Sequence, residues 1–391
     1  MRTGFRTALV AVLIAAAADT AQAQNLRFSG FGDFVFGANG GGKADGAAAE
    51  RFGQFGSDLD PVNTNRGFGL TGTDFVVLAD MTDNATFLGE INLQTGRGGS
   101  SDLELDVERF FVNYRIDPRF NVQAGLFFTP IGYNNRFLYA RAWLMNSIQV
   151  PDFFEEELNL FPTHSIGVAV HGEFAMNNGH RLAYVASAAN GRPHTPDSAV
   201  YARDYTANKE ITGLLEWLIP GFKDSRIGVS GWFGNIDTVR VNALGDMVDG
   251  AAADTLLLKE HGLDAYVVVN NRHFSVNAEW VRTIQRDRVD TDNAYRISGG
   301  LIEVSAHMRD GKMHPYVRFD RTMLPEDGGP YISLRETDAG FTRVYVPETK
   351  SAMTGVAYDL NQHMRVKGEY IHHLSGPRDR HGVAGQLAFG F

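Results

Sequence analysis

Apolar and polar side chains alternate along most of this chain, and that period of two constrains the fold more than any other feature. In segments 120–129, 164–175 and 224–235, the apolar residues share one parity and most polar residues share the other. Such alternation is typical of strands with one face in an apolar environment and the other in a polar one. The sequence therefore predicts an all-β fold.

About sixteen alternating segments can be drawn, each of roughly nine to fifteen residues, which suits tilted strands that cross a bilayer. The predicted strands cover 25–37, 67–81, 84–95, 103–116, 120–129, 164–175, 179–190, 206–219, 224–235, 255–270, 273–285, 293–308, 313–321, 348–360, 362–374 and 379–391. Short and long links alternate between them. Every second link is a tight turn rich in Asn, Asp, Gly or Pro.

The other links are mostly long: 38–66, 130–163, 191–205, 236–254 and 322–347, with shorter ones at 96–102, 286–292 and 375–378. This rhythm is typical of a transmembrane antiparallel β-barrel with short periplasmic turns and longer external loops. No shift in composition divides the chain, so residues 24–391 are predicted to form one barrel.

The first residues have the three parts of a secretory signal peptide. Arg2 and Arg6 precede an apolar run at 8–18, and Ala21-Gln22-Ala23 is a small-x-small cleavage site. The run is too short to span a bilayer, which disfavours a membrane anchor as the alternative. Residues 1–23 are therefore predicted to be a cleaved signal peptide.

Composition narrows the function classes. The chain has 36 basic and 46 acidic side chains and no cysteine. The acidic balance argues against nucleic-acid binding, and the lack of cysteine removes disulfides and thiolate metal sites. No cofactor is expected.

The link 130–163 is the longest and is rich in bulky aromatic residues, which are costly to leave in water. We expect this third long link to fold into the barrel and narrow its pore; the alternative is an external flap. The residues predicted to form the constriction are Arg136, Arg141, Asp152, Glu155, Glu156 and Glu157.

Charged residues on the polar parity of the strands are candidates for the lumen wall. Among them, Arg318, Arg365 and Lys367 lie on late strands and are predicted to form a basic wall. The alternative is a generic polar lining without individual roles. The other candidates are Asp33, Glu90, Glu104, Asp106, Glu108, His171, Glu173, Arg226, Glu279, Asp320 and Glu369.

Segment 123–133, Gln-Ala-Gly-Leu-Phe-Phe-Thr-Pro-Ile-Gly-Tyr, is similar to a Gly-x-Phe-x-Thr-Pro-Phe-Gly stretch of the phosphate-selective porin O and P family and related porins. Segments 166–172 and 184–191 resemble its next two strands, so the resemblance covers residues 100–195 by motif and the rest by layout. It implies a sixteen-stranded, often trimeric, passive channel whose third loop folds inward. Phosphate selectivity is not implied here, because the third link ends in acidic residues.

Signatures of enzymes and metal sites are missing from the sequence. His164-Ser165 and His372-His373 are adjacent pairs, and neighbours on a strand point to opposite faces. Asp287, Asp290 and Asp292 have calcium-like spacing without the Gly turn and terminal Glu, so a solvated loop is favoured. The chain is predicted not to be an enzyme.

Together these features predict a porin of the bacterial outer membrane, a passive channel for small hydrophilic solutes or ions with a slight cation preference. Expected partners are outer-membrane lipid, two further copies in a homotrimer, small solutes or ions, and the barrel-assembly machinery, for which Phe391 is the predicted signal. Two alternatives stay open: a closed barrel that binds a surface ligand or partner through its external loops, and an outer-membrane hydrolase.

Overall fold

The computed structural model describes residues 25–39, 66–95, 103–138, 142–154, 160–192, 209–222, 224–239, 255–288, 293–325, 331, 334–337, 340–343, 348–374 and 380–391. The predicted signal peptide, residues 1–23, lies outside these ranges. Within them, no helix has the length and apolar character that crossing a membrane requires.

The described ranges hold eighteen strands and three short helical turns. The strands are β1 Asn25–Asn39, β2 Arg66–Asp80, β3 Ala85–Thr95, β4 Leu103–Asp117, β5 Phe120–Phe128, β6 His164–Ala175, β7 Arg181–Asn190, β8 Lys209–Leu218, β9 Arg226–Val239, β10 Thr255–Asn270, β11 Phe274–Asp287, β12 Ala294–Ala306, β13 Met313–Met323, β14 Leu334–Thr337, β15 Gly340–Arg343, β16 Thr349–Asn361, β17 Met364–His373 and β18 Arg380–Gly390. The helical turns are Asn134–Leu138, Asp152–Phe154 and Asn177–Gly179.

Sixteen of the strands form one closed antiparallel barrel. Each pairs with the next along the chain, with β13 beside β16, and the β1–β18 pair closes the circle. This confirms the predicted fold class and strand number. The small β14–β15 hairpin was not predicted, because strands of four residues are too short to reveal a period of two.

The two faces of the barrel wall differ in the way that the alternation predicts. In β13, Val317 is 58% exposed whereas its neighbour Arg318 is 3% exposed. Other large apolar residues on the outer face are also exposed, among them Phe34, Phe110, Phe233, Leu263 and Ile302. Because a continuous apolar exterior is stable only in an apolar solvent, this is the surface of a membrane-spanning barrel.

Inside the barrel, several large aromatic side chains lie over a glycine of a neighbouring strand. A Cβ added to Gly262 would lie 2.0 Å from the Trp232 ring, and one added to Gly228 would lie 2.1 Å from the Tyr266 ring. These glycines leave room for rings that would otherwise clash with the wall. The barrel interior is therefore partly filled by side chains of the wall strands.

Candidate functional site

The segment between β5 and β6 lies against the inner wall of the barrel, and its two ends are tied together. The Thr129 amide donates to the Thr163 carbonyl at 2.9 Å. The Asn135 side-chain amide then donates to the carbonyl oxygens of both residues, at 3.0 and 3.1 Å. We call residues 129–163 the third loop.

A buried carboxylate of β11 holds the entry of the third loop. Glu279 accepts hydrogen bonds from the Tyr133 and Asn134 amides at 3.1 and 2.9 Å, and from the Asn134 side chain at 2.7 Å. Just before them, the Gly132 amide donates to Ser230 Oγ at 3.1 Å. Three consecutive amides of the loop are thereby fixed to the wall, which satisfies donors that would be costly to bury unpaired.

The wall opposite β5 and β6 holds the middle of the loop. Glu369 of β17 accepts from the Ile148 and Gln149 amides at 3.1 and 3.2 Å. Arg318 of β13 donates to the Gln149 carbonyl at 2.6 Å, and Lys367 donates to the Ser147 carbonyl at 2.9 Å. Charged side chains of β11, β13 and β17 therefore bind the loop backbone by charge-assisted hydrogen bonds.

An apolar cluster secures the last part of the loop. Phe153, Phe154 and Phe161 are buried together with Trp232 of β9 and Ile297 of β12. The Phe153 and Phe154 rings lie 4.4 Å apart, and Phe161 meets Phe154 edge-on at 5.2 Å. Burial of each such ring stabilises the loop by roughly 1.5–3 kcal/mol.

The three residues predicted for a basic wall all point into the barrel, where each contacts the third loop. Arg318 also forms an ion pair with Asp320 at 2.7 Å, and Lys367 contacts two loop carbonyls. Arg365 donates to the Met145 carbonyl at 3.3 Å and pairs with Asp359. Their described partners are the loop backbone and neighbouring carboxylates.

The predicted constriction residues fall in two groups. Arg136 pairs with Glu216 of β8 at 2.9 Å and lies over the Phe137 ring at 4.8 Å. The backbone of Asp152 begins the turn Asp152–Phe154. Arg141, Glu155, Glu156 and Glu157 lie outside the described residues. Their place in a constriction stays a prediction.

Next to the third loop, a cavity of about 940 Å³ opens toward the short turns of the barrel. It is lined by the loop residues Asn134 and Asn146 and by wall and turn residues that include His273, His307 and His314. The His314 ring contacts Asp359 at 3.0 Å. This space is polar and large enough for water and small solutes.

Buried charge in the described interior is mostly negative. Eleven acidic side chains are buried against three from Lys and Arg. The acidic ones are Asp33, Asp74, Glu90, Glu210, Glu216, Glu260, Asp264, Glu279, Asp287, Asp320 and Glu369, and the basic ones are Arg192, Arg318 and Lys367. Four less buried arginines, Arg109, Arg136, Arg226 and Arg365, also form ion pairs with carboxylates there.

The adjacent polar pairs face different partners. His164 Nε2 contacts Glu108 Oε2 at 2.9 Å, whereas Ser165 Oγ contacts Thr129 Oγ1 at 2.6 Å. His372 faces His381, whereas His373 faces Ser351. Among the described residues, no group of three or more His, Asp or Glu is arranged to hold a metal ion. Asp290 and Asp292 lie outside them.

Sequence reasoning placed Glu279 and Glu369 in the interior but did not identify them as ligands of the loop backbone. It missed Ser230, Asp264 and Glu303, which also lie beside the loop. Ser230 accepts from the Gly132 amide, and Glu303 accepts from Asn146 at 3.1 Å. In the sequence, these three residues are marked only by their place among the polar positions of alternating strands.

A closed sixteen-stranded barrel with its third loop held inside is the fold of outer-membrane porins. No family model and no curated protein sequence matches the chain. Solved structures do: an anion-selective porin from Comamonas acidovorans is 9% identical with a TM-score of 0.57, over 94% of this chain and 99% of that one.

Two further similar structures have the same coverage, 94% of this chain and 97% of theirs. The outer-membrane channel DcaP of Acinetobacter baumannii is 11% identical with a TM-score of 0.55. OmpF of Salmonella typhi is 12% identical with a TM-score of 0.54. At these identities the likeness establishes the fold.

Proposed function

We propose that the protein is a porin of the bacterial outer membrane, a passive channel for small hydrophilic solutes or ions. The observation that carries the proposal is the third loop, whose backbone is bound by Glu279 of β11 and Glu369 of β17, four strands apart in the barrel wall. We infer that the loop narrows the lumen, and the polar cavity of about 940 Å³ beside the loop supports a lumen that stays open. Size exclusion then follows from the width left open.

Planar-bilayer recording tests this proposal against a closed barrel that binds ligands through its external loops. Purified full-length protein, checked for folding by its heat-modifiable migration, is added to a neutral phosphatidylcholine bilayer. Discrete steps of ion current are expected. Folded protein that leaves the bilayer silent would overturn the channel in favour of the closed barrel.

We further propose that the channel prefers cations slightly. The support is the excess of buried carboxylates in the described interior, together with the acidic residues of the third loop. In a potassium chloride gradient, the reversal potential should have the sign of a cation-selective pore. Clear anion preference would contradict this, and would favour kinship with the phosphate-selective porin O and P family in selectivity as well as in the sequence of 123–133.

The constriction is proposed to consist of Arg136, Arg141, Asp152, Glu155, Glu156 and Glu157. Replacing Glu155, Glu156 and Glu157 together by Gln should shift the reversal potential toward anion preference. Asp83→Asn with Asp224→Asn and Asp310→Asn is the matched control, because it removes the same number of charges from exposed short turns. An unchanged reversal potential in the triple variant would remove the three glutamates from the constriction.

A homotrimer is proposed as the functional assembly. The support is the porin fold, and one similar structure is described as a trimer form of OmpT from Vibrio cholerae. Unheated electrophoresis and light scattering should give three times the mass of one chain.

The hydrolase alternative is opposed by the separate partners of His164 and Ser165, and replacing both by Ala is expected to leave conductance unchanged.

A further inference from the structure

Six basic side chains occupy the outer face of five neighbouring strands, close to the strand ends that lead into the long links. They are Lys259 of β10, Arg282 and Arg286 of β11, Arg296 of β12, Arg321 of β13 and Lys350 of β16. Each lies within five residues of its strand end on that side. We call this set the basic belt.

The parity of the belt residues places them outside the barrel. Arg282 and Arg286 are exposed, whereas Val281, Thr283 and Gln285 between and beside them are buried. Lys259 is exposed beside the buried Leu258. Charged groups on this face are costly in lipid unless they reach the polar interface or an anionic partner.

The register brings like charges together within the belt. Lys259 stands directly opposite Arg286, and Arg321 stands directly opposite Lys350. Like charges on directly opposed residues of an antiparallel pair destabilise the sheet. A bound anion that bridges Lys259 and Arg286 would reverse that effect at the first pair.

The belt has few acidic neighbours in the described chain. Lys259, Arg282, Arg286 and Arg296 form no ion pair there. Glu348 bridges Arg321 and Lys350 at 2.7 and 3.3 Å, and a hydrogen bond from Arg321 holds the pKa of its carboxyl below the ordinary value. Asp237 of β9, half-buried, is on the same face at the margin of the belt. Within the described residues, four cationic groups of the belt therefore have no ion-pair partner.

An apolar band lies directly below the belt on the same strands. Leu263, Trp280, Ile302 and Phe319 are exposed there. At the corresponding end of β1 the outer face does not change from apolar to basic. Phe34 and Phe36, which follow one another on that face, are both exposed apolar residues. At this end, the outer face of β1 therefore differs from that of the belt strands.

We propose that the basic belt binds the phosphate groups of an anionic phosphorylated lipid in the outer leaflet, with the lipid's acyl chains on the apolar band below. The inference rests on the proposed function for the position of the barrel in an outer membrane. Guanidinium groups match phosphate oxygens in paired hydrogen bonds, and the belt offers such groups on neighbouring strands. The apolar band supplies the continuous surface that the chains require.

The test compares two triple variants with the same change of charge. Lys259→Gln with Arg282→Gln and Arg286→Gln neutralises half of the belt. Lys312→Gln with Arg119→Gln and Arg309→Gln removes the same residue types from exposed short turns at the other end. Binding of a bis-phosphorylated lipid A to the folded full-length protein in detergent is measured by native mass spectrometry, beside the same lipid without phosphates.

The belt variant should bind the phosphorylated lipid about 100-fold more weakly than the natural chain, because each of the three basic groups near an anionic surface contributes roughly fivefold. The turn variant should bind normally. Equal binding by all three proteins, or equal binding of the lipid without phosphates, would overturn the proposal. Conductance in a neutral bilayer is measured separately. If the natural chain does not conduct, the proposed channel is refuted, while the lipid-binding result remains valid.

Discussion

At the scale of single residues, Gly132 decides how the third loop enters the barrel. Its φ of +63° lies in the left-handed region. A Cβ at this position would lie 2.0 Å from Glu279 Oε1 and 3.1 Å from Asp264 Oδ2. Both the backbone conformation and the carboxylates that hold the loop therefore require a glycine here.

Gly132→Ala should move the loop entry away from Glu279. The left-handed conformation alone costs about 1–2 kcal/mol in an alanine, and the contact with Glu279 adds to it. We expect a lower thermal unfolding midpoint and an altered single-channel conductance. Gly311→Ala is the control, because Gly311 has a φ of +80° with no atom within 4 Å of an added Cβ. Equal conductance in the two variants would contradict this role of Gly132.

Glu369 gives a second test at this scale. It accepts from two loop amides and from the Tyr316 hydroxyl. Glu369→Gln keeps the size but replaces one acceptor oxygen by a donor that faces these donors, which should cost about 2–3 kcal/mol. We expect a lower midpoint of urea unfolding and noisier open-channel current. The exposed Glu173→Gln should change neither, and an equal effect of both would argue against the contact.

At the scale of elements, the third loop behaves as part of the wall because its apolar cluster packs on β9, β11 and β12. The Phe153 Cβ lies 2.5 Å from the position of a Cβ added to Gly299 of β12. Since a disulfide places the two Cβ atoms roughly 3.5–4.5 Å apart, a shift of about 1 Å joins this pair.

Phe153→Cys with Gly299→Cys should therefore cross-link on mild oxidation. The chain has no cysteine of its own, so the product is unambiguous on a gel. The cross-linked channel should still conduct, because the loop already lies there. Phe153→Cys with Gly213→Cys is the control, since Gly213 is on the outer face with nothing within 4 Å of an added Cβ. Cross-linking in the control alone, or a silent channel after cross-linking, would be incompatible with this packing.

The strands were predictable from sequence and the loop contacts were not, for one physical reason. Successive residues of a strand face the lipid and the barrel interior in turn. The alternation can therefore be recognised within a short segment such as 224–235. The contact between Asn134 and Glu279 joins residues 145 apart, and that between Ile148 and Glu369 joins residues 221 apart. Parity places both glutamates inside the barrel but does not say what faces them there.

At the scale of the whole molecule, the barrel depends on the seam between its first and last strands. The β1–β18 register runs from Phe31 opposite Gly390 to Asn39 opposite Gly382. Phe391 extends it, because its amide and carbonyl pair with those of Gly30 at 2.9 and 3.0 Å. A closed barrel has no unpaired edge, and this seam removes the last one.

The Phe391 ring covers the gap that Gly30 leaves on the outer face. A Cβ at Gly30 would lie 2.5 Å from the ring, and the Phe75 ring is 6.3 Å away. Removing Phe391 should cost the two main-chain bonds, about 1–3 kcal/mol together, and expose Gly30. Phe391→Ala loses only the ring, and Phe391→Tyr keeps both the bonds and the ring.

The amount of heat-modifiable barrel in membranes should therefore be close to normal for Phe391→Tyr, reduced for Phe391→Ala and lowest after removal of the residue. The proposed assembly signal and the seam make different predictions for kinetics. A recognition signal slows insertion without changing the unfolding midpoint of the barrels that do form, whereas a weakened seam lowers that midpoint. If barrels without Phe391 form in normal amounts and unfold at the normal midpoint, neither role holds, and the pairing with Gly30 is dispensable for closure.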